Sequence, residues 1–388
     1  MVKLLFDILI TGHHVEYISH LVDHLSRKES EHHHVFVVHP DFTDRFPTLA
    51  AKVENANSMT LVEIKKEEFN KSQQGGLVRQ SFTNYGLANK YALQFNAKHV
   101  CLLYFNIFQL PLSIFRPKYT VSGILFFQFY RMTTGNWKEK LKYYRKYAIT
   151  RGYAMNARVK RIFVLNDEET VSFLNQEFNT AIFKMLADPI PVFSPIETFD
   201  IYRHYGIEQQ RKIFLHIGSL SDRKGTFEFV KAAMLMAPEL QASTMFLLVG
   251  KTGNKQEGEA LELAIRQVKE ESDVSIVWDN QFVSNEMMKS LFDQCYAVVI
   301  PYKNAEASSG ILGHAAASGK MVITTGKGLL KDIVKTYNLG LLVEEVTPER
   351  IAGKIAYAIK TPHHSNRAHE FVRTKTIEHF AVEVAAGL

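Results

Sequence analysis

Along this chain, short continuous apolar runs alternate with longer stretches in which apolar positions recur every three or four residues. In the first half, strands are predicted at 3–10, 35–39, 59–64, 99–105, 122–127, 161–165 and 181–186. In the second half they are predicted at 212–217, 244–250, 274–278, 296–301, 321–324 and 340–343. Most of these runs are apolar throughout rather than alternating. Strands of that kind are covered on both faces, as in a parallel sheet with helices on either side.

The intervening stretches read as helices. Val15, Ile18, Val22 and Leu25 share a helical spacing, as do Leu261, Ala264, Ile265 and Val268. Met288, Leu291, Phe292 and Cys295 form another stripe, with Ser284 as its expected N-cap. Thr347, Pro348 and Glu349 open a helix with a cap and a first-turn proline, continued by Ile351, Ile355 and Ile359. Asn166 followed by Glu169 reads as a capping box.

Three prolines between 188 and 195 cannot continue a helix or a central strand, so the break between halves falls there. The expected organisation is two doubly wound α/β domains. Residues 1–187, with a C-terminal crossover from 367 to 388, form the first, and 196–366 the second. Ligands of such sheets bind beyond the carboxyl ends of the strands, here expected in a cleft between the two domains.

Composition narrows this only slightly. The 388 residues are 46% apolar and 22% charged, which is ordinary globular usage. The run 4–10 is broken by Asp7, is far shorter than the roughly 20 residues that span a bilayer, and lacks a signal-peptide cleavage pattern. The two cysteines, Cys101 and Cys295, sit in or beside apolar runs and read as reduced core thiols, which favours a cytoplasmic location. A net charge of +6 suits anionic partners such as phosphates or a membrane surface.

Three segments carry candidate chemistry. After the strand at 212–217, Gly218 lets the backbone turn, and Arg223 and Lys224 precede a helix expected from about Thr226. Free backbone N–H groups, the helix dipole and two cations make an anion site there; the other reading is a solvated loop with surface charges. Gly250, Lys251 and Thr252 resemble the end of a P-loop, but Met245 stands where that motif needs a glycine, so a strand-end turn is expected. After the strand at 296–301 come Glu306, Ser308, Ser309 and Gly310, then a small-residue helix to about Ser318. Its N–H groups can hold a phosphate and Glu306 can accept from sugar hydroxyls; the plainer reading is a helix cap with an incidental Glu.

The second half resembles the nucleotide-sugar domain of the family-4-type (group 1) retaining glycosyltransferases, which have the GT-B fold. That family carries a Glu, seven residues, a second Glu, then Ala-x-Ala-x-Gly. Glu306 matches the first Glu, His314 stands at the second, and Ala315, Ala317 and Gly319 keep the register. Gly218 through Gly225 matches the family's phosphate-binding loop, and 278–286, with Phe282, matches the segment beside the base. In the first half, Gly12 and His13 resemble the glycine loop that touches the diphosphate, and Gln128 falls where many members place a sugar-contacting His. Three positions depart from the pattern: His314 for Glu, Ser219 for a frequent Arg, and Gln128 for His.

The resemblance implies a retaining sugar transfer from a UDP-, GDP- or similar nucleotide sugar to a glycan or glycolipid acceptor, in the manner of surface polysaccharide synthesis, with no metal. Lys224, Arg223, Glu306 and Gln128 would act in catalysis. Gly12, His13, Gly218, Ser219, Phe282, Ser308, Ser309, Gly310, Ile311 and His314 would bind the donor. The departures leave open a non-catalytic relative that keeps the fold. A third possibility, a non-hydrolysing epimerase, would need cleft carboxylates that the sequence does not identify.

Other features have plain readings beside sharper ones. Glu16, His20 and His24 have a spacing that can bind metal or simply form a polar helix face. His32, His33 and His34 are expected in an exposed loop before the second strand. Residues 137–161 carry nine Lys/Arg and one acidic residue among tyrosines, which suits either a solvated helix or peripheral contact with anionic lipid or acceptor. Nothing resembles a nucleic-acid-binding module.

Overall fold

The structure is a computed structural model and describes residues 1–27, 31–132, 134–303, 308–361, 365 and 367–388. It divides into two compact units, Met1–Pro189 with Ile377–Leu388, and Ile190–Thr376. The short helix Ala368–Arg373 therefore belongs to the second unit, and the terminal helix Ile377–Ala386 to the first.

The first unit holds a seven-stranded parallel sheet: β1 (Val2–Phe6), β2 (His33–Val38), β3 (Met59–Glu63), β4 (His99–Leu102), β5 (Thr120–Leu125), β6 (Val159–Leu165) and β7 (Phe183–Leu186). Their order in space is β3-β2-β1-β4-β5-β6-β7. The second unit holds a six-stranded parallel sheet: β8 (Lys212–Ile217), β9 (Thr244–Val249), β10 (Ser275–Asp279), β11 (Ala297–Ile300), β12 (Met321–Thr325) and β13 (Gly340–Val343). Its order is β10-β9-β8-β11-β12-β13.

Each sheet is covered by helices on both faces, which is why its strands are apolar at consecutive positions. Leu4 and Phe6 enter one core of the first unit while Leu5 enters the other. Ile213, Leu215 and Ile217 pack on one face of the second sheet and Phe214 on the opposite face. In both sheets the strand order reverses beside the first strand, between β1 and β4 and between β8 and β11. That reversal splays the following loops and leaves a crevice at the carboxyl ends of the two strands.

Every predicted strand is present, two of them (212–217 and 340–343) with the expected bounds and the others with shifted ends. β1 stops at Phe6 because the Asp7 carboxylate turns the chain: Oδ1 accepts the Leu9 N–H at 2.9 Å and Oδ2 lies 2.8 Å from His14 Nδ1. Residues 105–108 form a 3-10 turn rather than the end of β4. The cap of the helix Glu168–Glu177 is Asp167, not Asn166; its side chain accepts from Thr170 N. Asn166 instead adopts a left-handed conformation and accepts the Asp188 N–H through its side chain. Ser284 and Thr347 cap their helices as expected.

The exposed histidine loop is also corrected. His33 and His34 lie within β2, and His34 is buried. Glu16, His20 and His24 serve packing: Glu16 pairs with His13, the His20 ring meets the edge of Phe380, and His24 Nδ1 lies 3.1 Å from Glu378. Cys101 and Cys295 are buried free thiols, each raised to about 12 by burial.

Burial lowers three histidines, His34, His99 and His216, to about 4 from the ordinary 6.5. The unfolded chain binds protons at these sites between those values and the folded chain does not. Stability from this source is complete above pH about 6.5 and is lost as pH falls toward 4. Denaturant unfolding at a series of pH values is expected to show that decline, on the order of 3 kcal/mol per histidine at most. A stability flat from pH 7 to 4.5 would contradict it.

Candidate functional site

The crevice beside β8 and β11 collects most of the candidate residues of the second unit. β8 ends at Ile217, and Gly218 continues it with φ of +118°, a conformation open to glycine. A short 3-10 turn, Asp222–Lys224, follows, and Gly225 at φ +70° starts the helix Thr226–Met234. The turn is seated on the end of β11. A methyl at Gly225 would collide with the Pro301 carbonyl, and the Lys303 N–H donates to the Arg223 carbonyl at 3.0 Å. Lys303 Nζ is 2.6 Å from Asp222 and 2.8 Å from Glu228, so a salt bridge ties the two loops together.

Beneath this loop lies His216, fully buried. Its Nδ1 is 2.9 Å from the Val299 carbonyl and must donate to it. Nε2 then accepts from the Thr226 hydroxyl at 2.9 Å, whose oxygen in turn accepts the Ser221 N–H at 3.1 Å. Neutral imidazole is the form this chain of bonds requires, in accord with its lowered pKa of about 4. The next strand adds a second support. Gly250 at φ +133° follows β9, and a methyl there would strike the Gly218 carbonyl oxygen. The Gly250 carbonyl is held by Trp278 Nε1 at 2.8 Å, and the Leu220 N–H donates to Lys251 at 2.9 Å.

Two predicted residues converge on Gly218. A methyl built there would lie 3.5 Å from Lys224 Nζ and 3.9 Å from Ile311 Cδ1. Lys224 is half-buried, its ammonium 5.1 Å from the centre of the Tyr302 ring. Ile311 stands in the first turn of the helix Gly310–Ala317, capped at Ser309 without a side-chain hydrogen bond. The amides of that first turn have no partner within the helix and carry the positive end of its dipole. A lysine ammonium and an amide-rich helix start thus flank one glycine turn. That combination attracts a polyanion.

The remaining candidates divide as follows. Arg223 is exposed on the same turn, and Ser219 follows Gly218 directly. Ser308 and Ser309 are half-buried and lead into the helix. Glu306 lies outside the described residues. His314, one turn further on, is stacked against Phe193 and Phe292 at 5.7 and 6.1 Å. Phe282 is exposed, with Lys251 Nζ 5.6 Å from its ring centre.

Gly12, His13 and Gln128 belong to the first unit. Gly12, at φ +62°, precedes the helix His13–Ser26, and His13 Nδ1 lies 3.3 Å from Glu16. Gln128 follows β5 and is 5% exposed. Its Oε1 accepts the Arg131 N–H at 3.3 Å, and its Nε2 is buried with no hydrogen-bond partner among the described residues. The segment before it is held by Asn106, whose side chain donates to Phe127 O and accepts the Phe126 N–H, both at 2.8 Å.

Sequence reasoning missed His216, Thr226, Tyr302 and Lys303, which shape the loop around Lys224. The partners that fix His216 and Lys303 are remote in sequence, 83 residues away for Val299 and 81 for Asp222. Thr226 alone left a trace, as a hydroxyl at the start of a helix. Among the described residues, no group of three or more His, Cys, Asp or Glu is arranged to hold a metal.

Comparison with known proteins agrees with this architecture. Residues 198–375 match the family model of the glycosyl transferases group 1. No curated protein matches the chain by sequence. Among solved structures, WaaG, a glycosyltransferase involved in lipopolysaccharide biosynthesis, is 14% identical with a TM-score of 0.66, covering 99% of this chain and 98% of its own. HepE of Anabaena, in complex with UDP and glucose, is 13% identical with a TM-score of 0.68 and full coverage of both chains. Sucrose-phosphate synthase of Thermosynechococcus elongatus is 14% identical with a TM-score of 0.69, covering 99% and 97%. At such identities these likenesses show the fold alone. Residues 198–375 are a domain of the glycosyl transferases group 1 family, and the chain carries it on the two-domain GT-B fold.

Proposed function

We propose that this protein is a retaining glycosyltransferase whose second unit binds a nucleoside-diphosphate sugar at the crevice of Gly218, Lys224 and the helix from Gly310. The observation that carries the reading is the approach of the Lys224 ammonium and Ile311 to the same glycine turn. A diphosphate needs donors and positive charge in one place. Here Lys224 supplies a point charge, Arg223 a planar group suited to bidentate contact, and the helix start supplies backbone N–H groups. HepE, which shares the fold, binds UDP with glucose and UDP-glucose in its solved complexes.

In this reading the first unit takes the acceptor, a glycan or glycolipid. As the sugar leaves, negative charge grows on the departing diphosphate. Lys224, Arg223 and the amides of the helix start stabilise it without reorganising. The acceptor hydroxyl attacks from the face the diphosphate leaves, so configuration is kept, and a phosphate oxygen takes the proton. Glu306 orients the donor sugar, and Phe282 offers an exposed ring for the base.

Titration with UDP, GDP and their sugars, read as melting temperature and as nucleotide release, tests the reading. One nucleotide at about a hundred times its Kd should stabilise by about 2.7 kcal/mol, and its sugar should be turned over. If none shifts the melt, the crevice is not a nucleotide site. Stabilisation without turnover on any acceptor would favour a non-catalytic binder. The placement of His314 speaks for that second reading, because an imidazole packed along Phe193 and Phe292 lacks the two acceptor oxygens of the family's carboxylate.

A further inference from the structure

We infer that the helix Trp137–Ala154 is a docking surface for an anionic phospholipid bilayer, lying in the plane of the membrane interface. The inference concerns a surface of the first unit and does not depend on the reaction proposed above.

The sequence shows a basic stretch with aromatic residues; the structure shows how the two kinds of residue are sorted. At about 100° per residue, Trp137, Leu141, Tyr144, Ala148 and Met155 fall within about 60° of one another on the helix. All five face solvent, and the four large ones are 69%, 63%, 66% and 66% exposed. Lys138, Lys142 and Arg145 flank this stripe on one side, and Lys140 and Arg151 on the other, all exposed. The one acidic residue of the stretch, Glu139, points the opposite way and accepts the Gly135 N–H at 2.8 Å.

The inward face is separately satisfied. Tyr143 and Tyr147 pack on Phe129 at 5.1 and 5.5 Å, and Tyr153 on Phe105 at 5.2 Å. Among the described residues, none of the five outward side chains belongs to the hydrophobic clusters of the first unit. An exposed apolar line rimmed by cations on both sides suits one environment. Its apolar side chains enter the acyl boundary to a depth of about 5–10 Å while the lysines and arginines remain among lipid phosphates. Among the described residues no helix is long and apolar enough to cross a membrane, so the contact is one of lying on the surface.

The test uses the full chain with vesicles of phosphatidylcholine alone and with one third phosphatidylglycerol. Each basic group near such a surface strengthens binding about fivefold, so co-sedimentation should favour the anionic vesicles by well over tenfold. Trp137 fluorescence should shift to the blue on binding. A variant with Trp137→Ser, Leu141→Ser and Tyr144→Ser should lose at least tenfold in affinity together with the blue shift, although Trp278 remains. A variant with Lys140→Glu and Arg145→Glu should lose the preference for anionic lipid. Circular dichroism of both should match the wild type, because every altered side chain is exposed. Equal binding to both vesicles would overturn the proposal. So would a serine variant that binds as tightly as the wild type, or salt-reversible binding with no blue shift, which would mean that the apolar stripe stays out of the bilayer.

Discussion

Lys224→Ala is expected to slow sugar-nucleotide turnover by about a hundredfold, the effect of removing one preorganised donor to a leaving group, about 3 kcal/mol. The fold should survive. Lys224 is half-buried, lies over the Tyr302 ring, and shares no salt bridge with another described residue. Its loop is fixed by other bonds, those of His216, Thr226 and Lys303. Lys224→Met keeps much of the stem packing and removes only the charge, so it should fall with the alanine variant. Steady-state kinetics should show the loss mainly in kcat, because the charge to be balanced grows as the diphosphate departs. An alanine variant with wild-type kcat would remove Lys224 from the mechanism.

Gly250→Ala is expected to cost about 2–4 kcal/mol, the range of strained or overpacked core substitutions, and to abolish nucleotide binding. Two effects combine there. The backbone sits at φ +133°, which side chains rarely adopt, and the added methyl would meet the Gly218 carbonyl oxygen. A backbone atom in a sheet cannot swing aside as a side chain can, so the loops after β8 and β9 must separate. Since Gly218 forms the floor beneath Lys224 and Ile311, that separation would disperse the anion site. Gly319→Ala is the contrast: φ is +63° but no atom lies within 4 Å of the added methyl. It should cost only about 1 kcal/mol, the left-handed backbone term, and leave binding intact. Urea denaturation and nucleotide titration of both variants separate the cases. Equal losses would show that conformation alone, not the collision, governs Gly250.

The strands were legible because a parallel sheet covered on both faces demands apolar side chains at consecutive positions. Their ends were less so. Ile8 and Ile10 are apolar and buried, yet they lie outside β1, since the Asp7 carboxylate turns the chain. Phe105 and Phe108 are likewise core residues of a turn rather than of a strand. Composition reports burial; it does not report backbone geometry. His34 shows the converse error, a polar residue placed inside a strand and buried. Around the site, Gly218 and Lys224 could be read from a local motif. His216 and Lys303 could not, because they act through Val299 and Glu228, which only folding brings near.

The chain leaves the first unit after Pro189 and re-enters it at Ile377. Tyr17 marks both events, hydrogen-bonded to Asp188 at 2.6 Å and stacked against Phe380 at 4.5 Å. The second unit is therefore an insertion in the first. During synthesis the earlier sheet and the helix His13–Ser26 emerge long before the terminal helix that packs on Tyr17 and Ile18, so that patch waits uncovered while the inserted unit is being made. A chain cut just before Ile377 would carry a complete second unit attached to a first unit that still lacks its closing helix. Clipping the terminal helix would wound the half that lies farthest from it in sequence.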